Sequence, residues 1–234
     1  MSSYVSLNGQ AHGDLRVNHG GGYAFAANSH LVSLVLHEFA KACVHYPIVF
    51  VRSSLGSRFR PMALLGLEPS RNAFVDANGQ WAAGHYVPAA FRRHPFALTQ
   101  TGTDLFSVCV DTESPLVSSQ EGERLFDEQG RPLPALLKIR DFLGELAHSE
   151  ALAEQFCDRL VDMDLLVPVG LHVRHSEQVL HHEGAFVVSE DRLSSLGDGP
   201  FLALREQGFL SAVYAHLISL QQLERLQAIR AGQA

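Results

Sequence analysis

Residues 91–96 carry the side chains of this chain that are best suited to binding chemistry. They read Phe-Arg-Arg-His-Pro-Phe, so Arg92 and Arg93 lie between aromatic rings. A guanidinium presents a planar fork of donors that fits a carboxylate or a phosphate, and arginine and tryptophan are enriched at the energetic centres of protein interfaces. The alternative is that the arginine stems only cover apolar surface. The residues predicted to bind a ligand or partner are His45, Tyr46, Trp81, Tyr86, Arg92, Arg93 and Phe96.

Residues 43–50 form a constrained corner between a helix-like segment and a strand. Pro47 fixes φ and lacks a backbone donor, so it marks the start or edge of a strand, and it moves Tyr46 out of the helical region. Cys43 and His45 are two residues apart, a spacing that could join a thiol and an imidazole for nucleophilic catalysis. We favour the other interpretation, in which His45 holds the junction through hydrogen bonds.

Asp111 and Glu113 are a second pair with catalytic spacing, since two carboxylates on one face of a strand end could work as acid and base. A carboxylate that caps the turn at Ser114 explains them as well. The enzyme alternative is therefore a metal-dependent enzyme, similar to non-haem oxygenases, or a hydrolytic enzyme, that uses His45 and Asp111.

Thirteen histidines raise the question of a metal site. His172 and His175 are an odd number of residues apart, so a regular strand would point them to opposite faces, and the adjacent His181 and His182 follow the same rule. Neither pair forms a chelating site by itself. We predict no metal and no other cofactor.

Composition and charge exclude several classes of protein. A formal net charge of −7 argues against a nonspecific nucleic-acid binder. The first residues lack the basic start and apolar run of a signal peptide, and no apolar run reaches the ~18 residues of a membrane-spanning helix. The three cysteines are far apart in apolar contexts, as is typical of reduced, buried thiols. We therefore expect a cytoplasmic protein without a membrane span.

The sequence pattern predicts both helices and strands, and their order along the chain indicates an α+β fold. A mixed or mainly antiparallel sheet in the N-terminal half would pack against a helical C-terminal half with an inserted β-hairpin. We expect a single domain over residues 1–234, with a strand-rich half of about 1–126 and a helical half of about 133–234. Predicted strands are 47–52, 61–67, 105–111 and the hairpin 168–173 with 179–188; predicted helices are 30–42, 133–146, 152–163, a short one capped by Ser189, and a last one over 210–226.

The last predicted helix carries a stripe of apolar residues from Leu210 to Leu226 at three- and four-residue steps. By default the stripe packs onto the protein's own sheet. It is also close to a heptad pattern, so a homodimer through paired helices is the alternative.

A set of motifs spread over nearly the whole chain resembles the bacterial SapC family. The motifs are His45-Tyr46-Pro47-Ile48, Gly66-Leu67 with Asn72, Trp81 with Tyr86-Val87-Pro88, Arg92-Arg93 with Pro95-Phe96, Gly122 with Leu125-Phe126-Asp127 and Gly130, and Leu204, Gly208, Leu210 and Tyr214 near the end.

This resemblance implies a genomic neighbourhood rather than a reaction. From this resemblance, we expect the gene to lie beside genes for TonB-dependent receptors, halogenase-like enzymes and cupin-like proteins. We therefore expect a non-enzymatic binding or accessory protein that contacts a peptide or a protein partner from such a system. It would act beside a peptide- or amino-acid-modifying enzyme or a TonB-dependent uptake system.

Overall fold

The chain forms two compact units, each built from two separate segments. A computed structural model describes residues 4–18, 20–52, 58–102, 105–175 and 178–232. Unit 1 comprises Met1–Tyr23 with Ala89–His148, and unit 2 comprises Ala24–Pro88 with Ser149–Ala234. The strand-rich and helical halves of the sequence therefore do not coincide with the two units, and the single domain stays a prediction.

Unit 1 is built on two small antiparallel sheets. In the first, β7 (Leu105–Asp111) lies between β1 (Tyr4–Ser6) and β6 (Phe96–Gly102). In the second, β2 (Arg16–Val17) lies between β8 (Val117–Ser118) and β9 (Glu123–Arg124), and a short helix α2 (Ala89–Arg92) precedes β6. The apolar core of this unit consists of Val17, Phe96, Val110, Leu125, Phe126, Ala135, Leu136 and Leu143.

Unit 2 contains a five-stranded antiparallel sheet. Its strands are β3 (Leu31–Ser33), β4 (Ile48–Arg52), β5 (Phe59–Leu64), β10 (Leu166–His175) and β11 (Gln178–Val188), in the order β10-β11-β4-β5-β3. The strand predicted at 47–52 and the hairpin are confirmed, and the strand predicted at 61–67 is present but spans Phe59–Leu64. Strand β5 lies inside the sheet, as its two apolar faces indicate. The α+β class, with antiparallel sheets and a helical C-terminal region, is also confirmed.

The segment 30–42 contradicts its predicted helix. Its first part forms β3, which pairs with β5 so that Val32 faces Ala63. A 3-10 turn at Leu36–Glu38 and a single helical turn α1 (Phe39–Ala42) follow. The apolar residues of this segment repeat at helical spacing, but the neighbouring strand supplies backbone partners that outweigh that local preference.

A single helix, α3 (Pro134–Asp162), replaces the two helices predicted on either side of Ser149. Residues 145–162 contain neither proline nor glycine and are rich in Ala, Leu and Glu, so no local signal stops the helix. None of the helices among the described residues combines the length and the apolarity that crossing a membrane requires.

The remaining helices are short and follow β11. Ser189 caps α4 (Glu190–Ser194), because its hydroxyl accepts a hydrogen bond from the Arg192 N–H, as predicted. Helix α5 (Asp198–Glu206) comes next. The predicted last helix is divided into α6 (Leu210–Ser219) and α7 (Gln222–Gly232), so the apolar stripe is not one continuous helix face. The homodimer stays a prediction.

Two buried polar side chains fasten α6 to the sheet of unit 2. The imidazole of His216 has one nitrogen 2.9 Å from the Ile48 carbonyl oxygen, while the other accepts a hydrogen bond from the Val188 N–H at 3.0 Å. The Ser219 hydroxyl accepts a hydrogen bond from the Ile48 N–H at 2.9 Å. Since Nε2 of His216 is an acceptor, Nδ1 carries the proton, and the ring is neutral.

Candidate functional site

Tyr46 lies at the centre of a buried network in unit 2. Its side chain is fully buried, and its hydroxyl donates a hydrogen bond to the Tyr86 carbonyl oxygen. The same hydroxyl accepts a hydrogen bond from the Trp81 indole at 3.2 Å. Burial is the main cause that raises the pKa of Tyr46 above its usual value. The phenol therefore stays neutral and joins the corner at Pro47 to the segment 81–86.

Tyr86 extends this network to a buried carboxylate. Its hydroxyl donates a hydrogen bond to Glu38 Oε1 at 2.8 Å, and Glu38 Oε2 accepts one from the Val35 N–H at 3.0 Å. The Lys41 ammonium lies 6.0 Å from the centroid of the Tyr86 ring. Glu38 is only 1% exposed, and the hydrogen bonds from Tyr86 and Val35 compensate for the burial of its carboxyl oxygens. The polar atoms of Tyr46, Trp81 and Tyr86 thus serve the internal structure of unit 2.

His45 is half-buried beside a second histidine. Its ring centroid lies 5.3 Å from that of His85 and 5.8 Å from that of Tyr46. Burial lowers the pKa of His45 below its usual value, and the charges of His85 and Arg225 lower it further. His45 is therefore a neutral imidazole near pH 7. The sequence motif at residues 45–48 selected His45, but it gave no signal for the pairing with His85.

The arginine segment belongs to unit 1. Arg92 is exposed, and its guanidinium carbon lies 5.3 Å from the centroid of the Phe142 ring. Arg93 is half-buried and lies close enough to Tyr4 that its charge lowers the pKa of that phenol, although burial and Asp111 raise it more. Phe96 is 4% exposed and packs in the unit 1 core, so its ring does not face solvent.

A histidine–serine pair in unit 1 was missed from the sequence. His94 Nε2 lies 3.0 Å from the Ser114 hydroxyl, which also accepts a hydrogen bond from the Leu116 N–H at 3.3 Å. Burial lowers the pKa of His94, and the charge of the buried Asp111 acts in the opposite direction. His94 and Ser114 are 20 residues apart, and only the fold brings them together.

In the other two pairs with catalytic spacing, Cys43 and Asp111 make contacts that stabilise the local structure. Cys43 is buried, its thiol donates a weak hydrogen bond to the Ala40 carbonyl oxygen at 3.5 Å, and burial raises its pKa, so it is not an activated nucleophile. Asp111 accepts a hydrogen bond from the Glu113 N–H at 3.2 Å, as a turn cap does. In the ranges that the structure describes, no group of three or more metal-ligating side chains occurs. The side chains of His172, His175, His181 and His182 lie outside the described residues.

The predicted binding residues therefore divide between the units. His45, Tyr46, Trp81 and Tyr86 lie in unit 2, and Arg92, Arg93 and Phe96 lie in unit 1. The two candidates of the enzyme alternative divide in the same way, with His45 in unit 2 and Asp111 in unit 1.

Comparisons with known proteins identify the family of this chain. A search of curated proteins and a search of solved structures gave no match. The family model SapC matches residues 7–226 of the 234 residues, which is nearly the whole chain. The matched range includes all of the binding residues that the sequence predicted. The chain is a member of the SapC family.

Proposed function

We propose that this protein is a binding or accessory protein whose working surface includes Arg92 and Arg93. The observation that carries the proposal is that Arg92 is an exposed residue whose guanidinium carbon lies 5.3 Å from the centroid of the Phe142 ring. The partner would be a peptide or protein that offers a carboxylate. The neighbours of SapC genes supply the candidates, namely a halogenase-like enzyme, a cupin-like protein or a TonB-dependent receptor system.

An arginine supported by an aromatic ring is suited to this role for two reasons. The cation–π contact restricts the guanidinium, so less side-chain entropy is lost when a ligand binds. A guanidinium has five N–H donors in a planar fork, and the geometry of this fork matches a carboxylate. Phe142 lies on α3, a long helix, and a rigid element holds the contact in place.

Replacing both arginines by alanine is expected to weaken partner binding at least tenfold. Charge-assisted hydrogen bonds contribute about 1.5–3 kcal/mol each, and about 1.4 kcal/mol corresponds to a factor of ten. The measurement is biolayer interferometry of the purified halogenase-like and cupin-like proteins against wild-type protein and Arg92→Ala/Arg93→Ala. Arg92→Lys keeps the charge but loses the bidentate fork, and we expect an intermediate affinity.

Arg140→Ala is the matched control for this experiment. Arg140 is an exposed arginine of the same unit, and its guanidinium forms a salt bridge with the Asp141 carboxylate. We expect its replacement by alanine to leave binding unchanged. An equal loss of binding in the Arg140 variant would show that the effect comes from the change in net charge and not from the positions of Arg92 and Arg93. Unchanged binding in a folded Arg92→Ala/Arg93→Ala protein would overturn the proposal.

A hydrolytic enzyme is the alternative, and the contact between His94 and Ser114 beside Asp111 favours it. A serine hydroxyl within hydrogen-bond reach of an imidazole is the arrangement of an activated nucleophile. However, Ser114 is 5% exposed and its oxygen also accepts the Leu116 N–H, which is what a turn requires.

We expect no reaction of Ser114 with a fluorophosphonate probe, because its hydroxyl is buried in that turn. Peptide mass spectrometry after incubation with the probe measures the adduct. Ser118, a less buried serine of the same unit, reports the background labelling. An adduct on Ser114 that disappears in His94→Gln would support the hydrolytic alternative over the binding proposal.

A further inference from the structure

We propose that His45 and His85 together bind one divalent transition-metal ion of the class that prefers imidazole, such as Zn²⁺, Cu²⁺ or Ni²⁺. The proposal goes beyond the binding function of the arginines and involves unit 2 alone. It also departs from the absence of a metal that the sequence predicted. The protein would supply two ligands, and solvent or an external ligand would fill the open positions.

The spacing of the two rings fits a shared metal ion. Metal–nitrogen bonds of about 2.0–2.1 Å in a tetrahedral site place the centroids of two imidazoles about 5 Å apart. The centroids of His45 and His85 lie 5.3 Å apart, with an angle of 51° between the ring planes. Both side chains are partly exposed, so an ion can reach them from solvent.

The hydrogen bonding of His85 selects the tautomer that a metal needs. Its Nδ1 lies 3.2 Å from the Ala83 carbonyl oxygen, and a carbonyl only accepts, so Nδ1 carries the proton. Nε2 is then the ring nitrogen that can bind a metal ion. Metal-binding histidines typically donate their other ring N–H to such a backbone carbonyl.

His45 contributes a ring whose nitrogens are not used elsewhere in the part of the chain that the structure describes. Its ring lies beside those of Tyr46 and His85, and no hydrogen bond joins either ring nitrogen to another described residue. Pro47 and the buried Tyr46 fix the backbone beside it, so the ring needs little ordering to bind. Phe74, with its centroid 5.1 Å from that of His85, restricts the second ring in the same way.

The charges around the pair determine what completes the site. Arg225 lies near enough to His45 for its charge to act on that ring, and it opposes a bare dication. The same charge favours an anion, such as hydroxide or a carboxylate, as the external ligand. The carboxylate of Glu38 is committed to Tyr86 and to Val35, so it is not a third ligand.

Zinc titration by isothermal calorimetry tests the site in protein that was first treated with a chelator. We expect one Zn²⁺ equivalent whose affinity falls at least tenfold in His45→Ala and in His85→Ala. The control is His37→Ala, since His37 is an exposed histidine of the same unit. Weak binding by the other histidines should be identical in all of these proteins.

Electron paramagnetic resonance of the protein with one equivalent of Cu²⁺ gives an independent readout. Hyperfine coupling to two imidazole nitrogens is expected in the wild type, and coupling to one in His85→Ala. Zinc titrations of wild type and His85→Ala that superimpose would overturn the proposal. Circular dichroism melts identify a variant that fails to fold, and His85→Gln then replaces it in the comparison.

Discussion

Acidification from pH 6.5 to pH 4 is expected to remove about 3 kcal/mol of folding free energy through His216 alone. Burial lowers the pKa of His216 from 6.5 to about 4 in the folded protein, and each pKa unit corresponds to about 1.4 kcal/mol. Below pH 6.5 His216 is protonated in the unfolded chain but stays neutral in the folded protein, so the free energy of unfolding falls as the pH falls. The stabilisation is fully present above pH 6.5.

His216→Leu isolates this contribution when urea unfolding is measured between pH 7.5 and pH 4. The variant leaves the Val188 N–H and the Ile48 carbonyl without their partner, so it should lose about 2–5 kcal/mol at pH 7. Its stability should also depend less steeply on pH. His45 and His94, whose pKa values are lowered as well, titrate in both proteins. Parallel pH profiles of the two proteins would contradict the assignment to His216.

Gly66→Ala is expected to destabilise the protein by about 3 kcal/mol or to prevent its folding. An added Cβ would lie 1.9 Å from the Arg71 carbonyl oxygen, a distance no pair of such atoms tolerates. That oxygen cannot retreat easily, because the next residues are held in place. Asn72 donates from its side chain to the Ala26 carbonyl at 3.1 Å, and the Ala73 N–H donates to the Leu65 carbonyl at 2.9 Å.

Gly199→Ala is the control for this substitution and is measured by the same urea unfolding. Gly199 lies in α5 of the same unit, where an added Cβ meets nothing within 4 Å. Alanine is the better helix former, so this variant should be unchanged or more stable by up to about 1 kcal/mol. A Gly66→Ala protein as stable as the Gly199 variant would show that the loop at Arg71 moves aside.

Sequence patterns predict a strand correctly where neighbouring residues alone are enough to define it. Pro47 sets the start of β4, and the run after it is apolar and β-branched, so the strand needed no distant information. The sequence around Val32 predicts a helix, and this prediction is wrong because the strand depends on pairing with β5, about thirty residues later. The predicted helix boundary at Ser149 is also wrong, because one serine inside a helix-favouring run does not end the helix.

The sequence predicts which residues belong to the candidate site, but it does not predict which of them are hydrogen-bonded or in ring contact with each other. Tyr46 could be selected from the sequence because Pro47 constrains the corner beside it, and Trp81 because it lies near the arginine segment in the sequence. Their mutual hydrogen bond spans 35 residues, His85 lies 40 residues after His45, and His94 lies 20 residues before Ser114. No periodicity encodes such contacts, since they follow from how strands and turns are brought together.

The division of each unit into two segments determines the order in which a growing chain can complete them. All residues of unit 1 have been synthesised once His148 leaves the ribosome, whereas the second segment of unit 2 is synthesised only after that point. Until then β4 has β5 as a partner, but β11, its neighbour on the other side, is not yet made. The nascent protein therefore carries an open apolar strand edge during much of its synthesis, the kind of surface that chaperones cover.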